Sequence, residues 1–148
     1  MLFRLPFTKV GYAALPRVTY TDPELAQIGL TEAEAREQGH EEVTVQRWTL
    51  AENDRAIAEA RTEGMVKLVI SRSGKLLGAG LLAPRAGEMA GMFGLMIDRG
   101  LPLSALAGLV LPYPTLAEAA KRAAGAHYTP KLLSPFTKRL IGLLKRLP

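Results

Sequence analysis

The sequence predicts an α+β fold in which helices pack on one face of a mainly antiparallel sheet. Three observations predict it. Segments with the two-residue period of strands come first, segments with helical periodicity follow from Gly87 onward, and the two kinds do not alternate strictly. The chain has 148 residues, of which 48% are hydrophobic, so it is long and apolar enough for one domain with a core.

The first elements are predicted within the first 40 residues. Residues 17–20 have a strand pattern. The Asp-Pro pair at 22–23 is typical of a helix start, so a short helical turn is predicted there. Thr31 and Glu34 have the spacing of a capping box, which predicts a helix that ends at Gly39.

The middle of the chain predicts three more strands. They are residues 42–50, 65–70 and 76–82. Residues 53–61 are polar and are predicted to be a connection. Residues 71–75 are predicted to be a hairpin-type turn, because they carry a glycine that can adopt a positive φ.

Helices are predicted after the strands. Residues 88–99 form a helix that is apolar almost all round, and such a helix should be buried on both sides. Gly100 should end it, and residues 104–108 should form a short helix. Thr115 should cap a last core helix that closes at Gly125.

Composition excludes several classes of chemistry. The chain has no cysteine, which excludes disulfides, thiolate nucleophiles and cysteine-ligated metal clusters within it. Its two histidines, His40 and His127, are not paired at helical spacing, so no metal site is expected. No apolar run reaches the ~18 residues of a spanning helix, and the first residues lack the pattern of a secretory signal, so a cytoplasmic location is expected.

The formal net charge of +5 is concentrated at the C-terminus. Residues 121–148 carry seven of the 19 cations and none of the 14 acids, so residues 1–120 are slightly acidic. Aromatic residues make up only 6% of the chain, which weakens the case for a base-stacking surface. Nucleic-acid binding is therefore not expected of the body of the chain.

The last segment predicts a basic amphipathic helix. Ser134 and Pro135 are typical of a helix start. The predicted apolar face comprises Phe136, Leu140, Ile141, Leu143, Leu144 and Leu147, and the predicted basic side comprises Lys138, Arg139, Lys145 and Arg146. Such a helix packs on its own domain or on a partner, or it lies on an anionic membrane. Both alternatives are open from the sequence.

Residues 78–83 formally fit the dinucleotide-binding pattern G-x-G-x-x-G/A. In that motif the glycines lead directly into a helix whose N-terminus holds the pyrophosphate. Here Gly78 and Gly80 lie inside a predicted strand, and residues 84–87 separate them from the next helix. The glycines are therefore predicted to allow close backbone packing.

Residues 113–118 are the candidate functional segment. Thr115 and Glu118 have the spacing of another capping box, which is a purely structural interpretation. Alternatively, Tyr113 and Glu118 flank a turn made rigid by Pro114 and present a phenol and a carboxylate to a bound group. The residues themselves favour the structural interpretation.

Four sequence blocks then occur in order: VTYTDPELAQIGLTEAEAREQG, AENDRAIAEARTEGMVKLVI, GKLLGAGLLAPRAGEM and YPTLAEAAKRAAG. Together they resemble the C-terminal dimerisation domain of the pyridine nucleotide–disulfide oxidoreductases, the group of dihydrolipoamide dehydrogenase, glutathione reductase and mercuric reductase. The resemblance covers residues 15–125 and implies the α+β interface domain of that family.

The resemblance implies a domain organisation. Residues 1–15 would be a linker from an upstream domain, residues 16–125 the dimerisation domain, and residues 126–148 the basic tail. FAD and NAD(P)H domains would precede it in a longer protein, and no cofactor is expected in this chain itself. The domain would form a homodimer, complete the partner subunit's active site and not be catalytic alone. The alternative is a free-standing basic adaptor that binds an anionic membrane or nucleic acid through its tail.

The resemblance also implies site residues. The family carries a His-Pro-Thr-x-x-Glu motif, whose histidine is an acid/base beside the redox dithiol of the other subunit and whose glutamate orients it. Pro114, Thr115 and Glu118 match, whereas Tyr113 replaces the histidine. Tyr113 and Glu118 would be catalytic in the intact dimer, and Pro114 and Thr115 would lie near the partner's flavin. The resemblance implies a parent nearer the mercuric-reductase-like branch, whose members also tolerate tyrosine in this region, although the C-terminal cysteine pair of those enzymes is missing.

Overall fold

The computed structural model describes residues 11–135 and also residues 137, 139 and 141. Its centre is one five-stranded sheet in which all neighbouring strands are antiparallel. The strands are β1 (Arg17–Thr19), β2 (Glu24–Gly29), β3 (Thr44–Thr49), β4 (Met65–Ile70) and β5 (Leu76–Ala83), arranged in the order β1-β2-β5-β4-β3. The predicted strands at 17–20, 42–50, 65–70 and 76–82 are confirmed.

Five α-helices accompany the sheet between residues 11 and 132. They are α1 (Glu32–Glu37), α2 (Asp54–Ala58), α3 (Ala86–Asp98), α4 (Leu103–Ala107) and α5 (Glu118–Leu132), and a 3₁₀ turn (Leu50–Glu52) precedes α2. The two longest helices, α3 and α5, pack on the same face of the sheet and share one apolar core with it. The predicted α+β class with an antiparallel sheet is therefore confirmed.

The core is built from alternate strand residues and from small helix residues. Val66 and Leu68 of β4 are fully buried beneath the helices, and Phe93 of α3 is fully buried above the sheet. Four alanines of α5 are also fully buried: Ala119, Ala120, Ala123 and Ala124. Alanine has the highest helix propensity and a short side chain, so α5 lies close to the strands without losing helical stability.

The opposite face of the sheet is only partly covered. Leu25, Leu82 and Met65 are direct cross-strand neighbours on this face, with exposed fractions of 51%, 38% and 43%. Farther along the same face, Glu32 of α1 pairs with Lys67 of β4. The apolar row therefore faces solvent on the side away from α3 and α5.

Several local predictions hold in detail. The capping box of α1 is present: the Thr31 hydroxyl accepts from the Glu34 N–H at 3.2 Å, and the Glu34 carboxylate accepts from the Thr31 N–H at 2.7 Å. Gly39 after α1 and Gly74 in the β4–β5 turn both have positive φ. These features were predictable because each depends on residues that are close in sequence.

Two predictions in the first half of the chain are wrong. The predicted helical turn at 22–24 is instead the entry to β2, because Glu24–Gly29 pairs along its whole length with β5. Residues 53–61 are not merely a connection, since α2 forms there with Asn53 as its N-cap. For β2, the long-range pairing with β5 decided between two local possibilities.

The predicted burial of α3 on both sides is also wrong for this chain by itself. Ala90 and Phe93 are buried against the sheet, whereas Leu95 is 58% exposed. Gly91, near Leu95 on the helix, has open space where a side chain would stand. Within residues 11–135, no element covers this side of α3.

The last helix differs from its prediction at both ends. It begins at Glu118 rather than at Thr115, and its N-cap Ala117 makes no side-chain hydrogen bond. It also continues through Gly125 to Leu132. The helix is long enough to absorb one glycine, whose cost inside a helix is about 1 kcal/mol, because its buried alanines pack on the sheet.

The C-terminal tail is described only in part. Ser134 Oγ accepts from the Thr137 N–H at 3.2 Å, which confirms the predicted cap at Ser134. The rest of the predicted amphipathic pattern, except Arg139 and Ile141, lies outside the described residues. In the described part of the chain, no helix is both long enough and apolar enough to cross a membrane.

Candidate functional site

The candidate site is the loop between α4 and α5. Tyr113 is 68% exposed, and the peptide bond between Tyr113 and Pro114 is cis. Glu118 is the first residue of α5 and is half-buried. The structure thus brings the four sequence-predicted residues together at one end of α5, with the tyrosine ring on the surface.

Asn53 holds the main chain of this loop. Its Oδ1 accepts from the Ala56 N–H at 3.0 Å and caps α2, while its Nδ2 donates to the Thr115 carbonyl at 3.1 Å. The side chain is only 1% exposed. Because one buried amide satisfies both a helix start and a loop carbonyl, the position of the loop is tied to the position of α2.

Asp54 holds the side chain of Tyr113. The Tyr113 hydroxyl donates to Asp54 Oδ2 at 3.0 Å, and Arg122 Nη2 donates to the same oxygen at 3.4 Å. Asp54 lies at the start of α2 and Arg122 lies in the second turn of α5. The three side chains therefore link α2, the loop and α5.

The electrostatics around Tyr113 favour the neutral phenol. Its pKa is raised above the ordinary value, first because the hydroxyl donates to Asp54 and then because of the charge of that carboxylate. Partial burial and the charge of Glu118 act in the same direction, whereas Arg122 lowers the pKa. The hydroxyl contacts Asp54 rather than Glu118, so Glu118 acts on the phenol through its charge.

Pro114 and Thr115 line a cleft of about 340 Å³. Its other lining residues are Arg55, Arg85, Glu88, Met89, Leu116 and Ala117. Arg55 Nε and Arg85 Nη2 both donate to the Glu59 carboxylate, each at 2.5 Å. These two arginines hold the pKa of Glu59 below its ordinary value, with Arg85 the larger cause. Both arginines of the cleft are thus already paired with Glu59, the residue that follows α2.

The predicted capping box at Thr115 does not form. The side-chain oxygen of Thr115 is buried and has no hydrogen-bond partner among the described residues. Its carbonyl instead accepts from Asn53 and, at 3.3 Å, from the Glu118 N–H. The local interpretation of Thr115 and Glu118 is therefore wrong, because the chain turns once more before the helix begins.

The glycine pair of β5 does not fit a dinucleotide. Gly78 lies within the strand, and a Cβ built there would stand 1.8 Å from the Leu30 carbonyl oxygen. Two main chains therefore occupy the space that a pyrophosphate would need. The prediction of close backbone packing is confirmed.

Sequence reasoning missed three residues of the site: Asn53, Asp54 and Arg122. An asparagine followed by an aspartate is typical of a helix start, so α2 itself had a local signal. The contacts of Asn53 and Asp54 with the loop span 62 and 59 residues, and no local pattern encodes them.

Comparison with known proteins decides the family. Residues 15–124 match the family model described as pyridine nucleotide-disulphide oxidoreductase, dimerisation domain. The chain belongs to this family. The resemblance inferred from the four sequence blocks is confirmed, and so is the function as a dimerisation domain.

Members of the family similar to this chain include two kinds of enzyme. The chain is 43% identical over 118 residues to mercuric reductase from Streptomyces lividans and 36% identical over 116 residues to dihydrolipoyl dehydrogenase from Geobacillus stearothermophilus. Each alignment covers 78% of this chain and 24% of the relative. The chain thus spans about a quarter of the length of these relatives.

A solved structure agrees with the family. The HOCl-induced flavoprotein disulfide reductase RclA from Escherichia coli superposes with a TM-score of 0.72 at 28% identity. The match covers 76% of this chain and 26% of that protein. The fold described above is therefore that of one domain in a flavoprotein disulfide reductase.

Proposed function

We propose that this chain is the homodimerisation domain of an intact oxidoreductase that uses FAD and NAD(P)H. The observation that carries the proposal is the match of residues 15–124 to a dimerisation domain, in an alignment that covers about a quarter of the relatives. Upstream domains of the intact protein would hold both cofactors. This chain would complete the active site of the partner subunit and would not be catalytic alone.

The exposed side of α3 supports self-association through this domain. Leu95 projects there with 58% of its surface exposed, and Gly91 leaves the helix surface beside it smooth. A second copy that covered this side would remove apolar surface from water and could approach the helix closely. The sequence pattern that predicted burial of α3 on both sides would then be satisfied in the dimer.

Residues 112–115, in the loop between α4 and α5 and hereafter called loop 112–115, are proposed to face the partner's active site. Tyr113 and Glu118 would lie near the redox dithiol or the flavin of the partner subunit, and Pro114 and Thr115 near the flavin. The exposure of Tyr113 and the cleft beside Pro114 and Thr115 support this placement. The buried Asn53 supports it too, because a site completed across an interface needs a loop of fixed position.

The chemistry open to Tyr113 differs from that of a histidine. An imidazole exchanges protons near neutral pH, whereas a phenol titrates near pH 10, and the raised pKa of Tyr113 moves it farther from neutrality. Tyr113 would therefore orient and hydrogen-bond a reacting group without acting as its base. The flavin and the nicotinamide, when bound, supply the electron and hydride transfer.

The first test is the oligomeric state of this chain. Sedimentation velocity should show a dimer, and Leu95→Glu should weaken it, because a charge would be placed in an apolar contact. The expected loss is about 3 kcal/mol, or roughly a hundredfold in the dissociation constant.

Leu25→Glu is the matched control. Leu25 is 51% exposed but lies on the face of the sheet opposite α3, so this variant should dimerise like the wild type. A chain that stays monomeric at high micromolar concentration would contradict self-association. Equal effects of the two substitutions would contradict the assignment of the contact to α3.

A further inference from the structure

We propose that Asp54 is a positioning residue that, together with Arg122, fixes the direction of the Tyr113 hydroxyl. The phenol oxygen then presents a hydrogen-bond acceptor, not a proton donor, to the group bound at loop 112–115. The inference rests on the proposed function, in which this loop faces the partner's dithiol or flavin, and it assigns a chemical role to a residue of α2.

Because a phenol has a single O–H proton, its hydrogen bond to Asp54 decides the direction of the Tyr113 O–H bond. A tyrosine hydroxyl has a single O–H donor and two acceptor lone pairs, whereas an ionised carboxylate can only accept. The hydroxyl of Tyr113 lies 3.0 Å from Asp54 Oδ2, so its one proton points toward Asp54. The lone pairs of the oxygen are left for a group that approaches from the other side.

Arg122 fixes the carboxylate itself. Its Nη2 donates at 3.4 Å to the same Oδ2 that accepts from Tyr113. A guanidinium stays charged at all accessible pH values, so Arg122 remains a charged donor beside Asp54. Asp54, at the start of α2, therefore accepts one hydrogen bond from Arg122 of α5 and one from Tyr113 of the loop.

A second hydrogen bond, from Asn53, holds the loop so that the Tyr113 ring stays beside Asp54. The preceding residue, Asn53, is buried and donates to the Thr115 carbonyl at 3.1 Å. Two consecutive side chains at the start of α2 therefore hold the loop at two points. Asn53 binds the main-chain carbonyl of Thr115, and Asp54 binds the side-chain hydroxyl of Tyr113. Rotation of the Tyr113 hydroxyl away from Asp54 would break the second point without disturbing the first.

The charged groups that face Tyr113 come from two elements. Asp54 approaches from α2, and Glu118 and Arg122 approach from α5. Two carboxylates against one guanidinium disfavour a phenolate, so the hydroxyl keeps its proton at neutral pH. A ligand group that matches this surface is a hydrogen-bond donor, such as a protonated thiol or a ring N–H.

The test is a titration of Tyr113 in this chain labelled with ¹³C at tyrosine Cζ. The Tyr113→Phe variant identifies its signal among the four tyrosines. Asp54→Asn should move the Tyr113 midpoint to lower pH, because it removes both the ionic acceptor and its charge. Arg122→Gln should move the midpoint to higher pH, because it removes the one cation that favours the phenolate.

Glu59→Gln is the matched control, since Glu59 belongs to the same end of the molecule but pairs with Arg55 and Arg85. It should leave the Tyr113 midpoint unchanged. Shifts of Asp54→Asn and Arg122→Gln in the same direction, or no shift in either, would overturn the proposal. A general loss of folding is recognised because the other three tyrosine signals would also move, and Arg122→Gln then carries the test.

The titration is independent of dimerisation. If the chain is monomeric but the two midpoints move in opposite directions, the positioning role of Asp54 stands and the proposed function fails. If the chain dimerises through α3 but the midpoints do not move as expected, the proposed function stands and the role of Asp54 fails.

Discussion

Asn53 is the only polar or charged residue within residues 11–135 that is buried as a whole, and both of its side-chain polar atoms are hydrogen-bonded. A buried amide is tolerated only when its donors and acceptor are satisfied. This residue therefore stabilises α2 and the loop together, and the geometry at Tyr113 depends on it.

Asn53→Ala should destabilise the chain by roughly 1–3 kcal/mol, because a helix cap is lost and the Thr115 carbonyl loses one of its two donors. Urea unfolding measures the change. Thr49→Ala is the control, since the Thr49 hydroxyl caps only the exposed 3₁₀ turn, and it should cost about 1 kcal/mol or less. Equal losses in the two variants would contradict the role of Asn53 as a loop anchor.

At the residue scale, the sequence could single out residues 113–118 as a candidate segment, because Pro114, Thr115 and Glu118 match a short motif in which Tyr113 replaces the histidine. The functional role of these residues stays a prediction. The sequence could not identify Asp54 or Arg122 as their partners. Asp54 reaches Tyr113 because β3 and β4, the strands before and after α2 in the chain, both pack against α5. Such a contact follows from the topology of the sheet and not from any spacing in the chain.

Among the elements, α5 shows how packing overrides a local stop signal. Gly125 was predicted to end the helix, yet the helix runs to Leu132 and no positive φ occurs at this glycine. The buried alanines before it fix the helix on the sheet, and the next turns follow because elongation adds one hydrogen bond per residue.

Gly125→Ala should therefore stabilise the chain by about 0.5–1 kcal/mol, since the site has open space for a methyl group and the helix loses a flexible residue. A rise in the urea midpoint would show it. Gly78→Ala is the opposite case, because its Cβ would collide with the Leu30 carbonyl, and it should lower the midpoint. Destabilisation by Gly125→Ala would mean that a helix stop lies at this residue after all.

Strands were easier to predict than helix ends. The strand patterns of β4 and β5, and the glycine turn between them, are each visible over a few residues. Sequence and structure therefore agree closely there. β2 was not predicted as a strand, because the Asp-Pro pair before it favoured a helical turn, and its strand state depends on pairing with β5, which lies far along the chain. Long-range pairing therefore accounts for the main errors at this scale.

At the scale of the whole molecule, ion pairs of surface carboxylates make the free energy of unfolding depend on pH in the acid range. Glu32 pairs with Lys67 at 3.0 Å and with Arg36 at 3.2 Å. These contacts lower its pKa below the ordinary value of 4.5, chiefly through the hydrogen bond from Lys67. A lowered folded-state pKa means that the stabilisation is complete above that ordinary value and is lost as pH falls through the folded-state pKa.

The melting temperature of the wild type should thus fall more steeply than that of Glu32→Gln between about pH 5 and about pH 3. Thermal unfolding at several pH values measures both slopes. Glu37→Gln, a substitution on the same helix at a residue that forms no ion pair in the described part of the chain, should retain the wild-type slope. Identical slopes for all three proteins would exclude Glu32 as a source of acid sensitivity.

The uncovered side of α3 finally has a thermodynamic consequence. If folding and association are linked through this side, unfolding produces two chains from each dimer, and the apparent free energy of unfolding depends on protein concentration by mass action. A tenfold dilution would then lower the stability of the dimer by about 1.4 kcal/mol. Differences among variants of this chain carry meaning only at one common concentration. Leu95→Glu, which weakens the dimer, should shift the concentration dependence to higher protein concentrations.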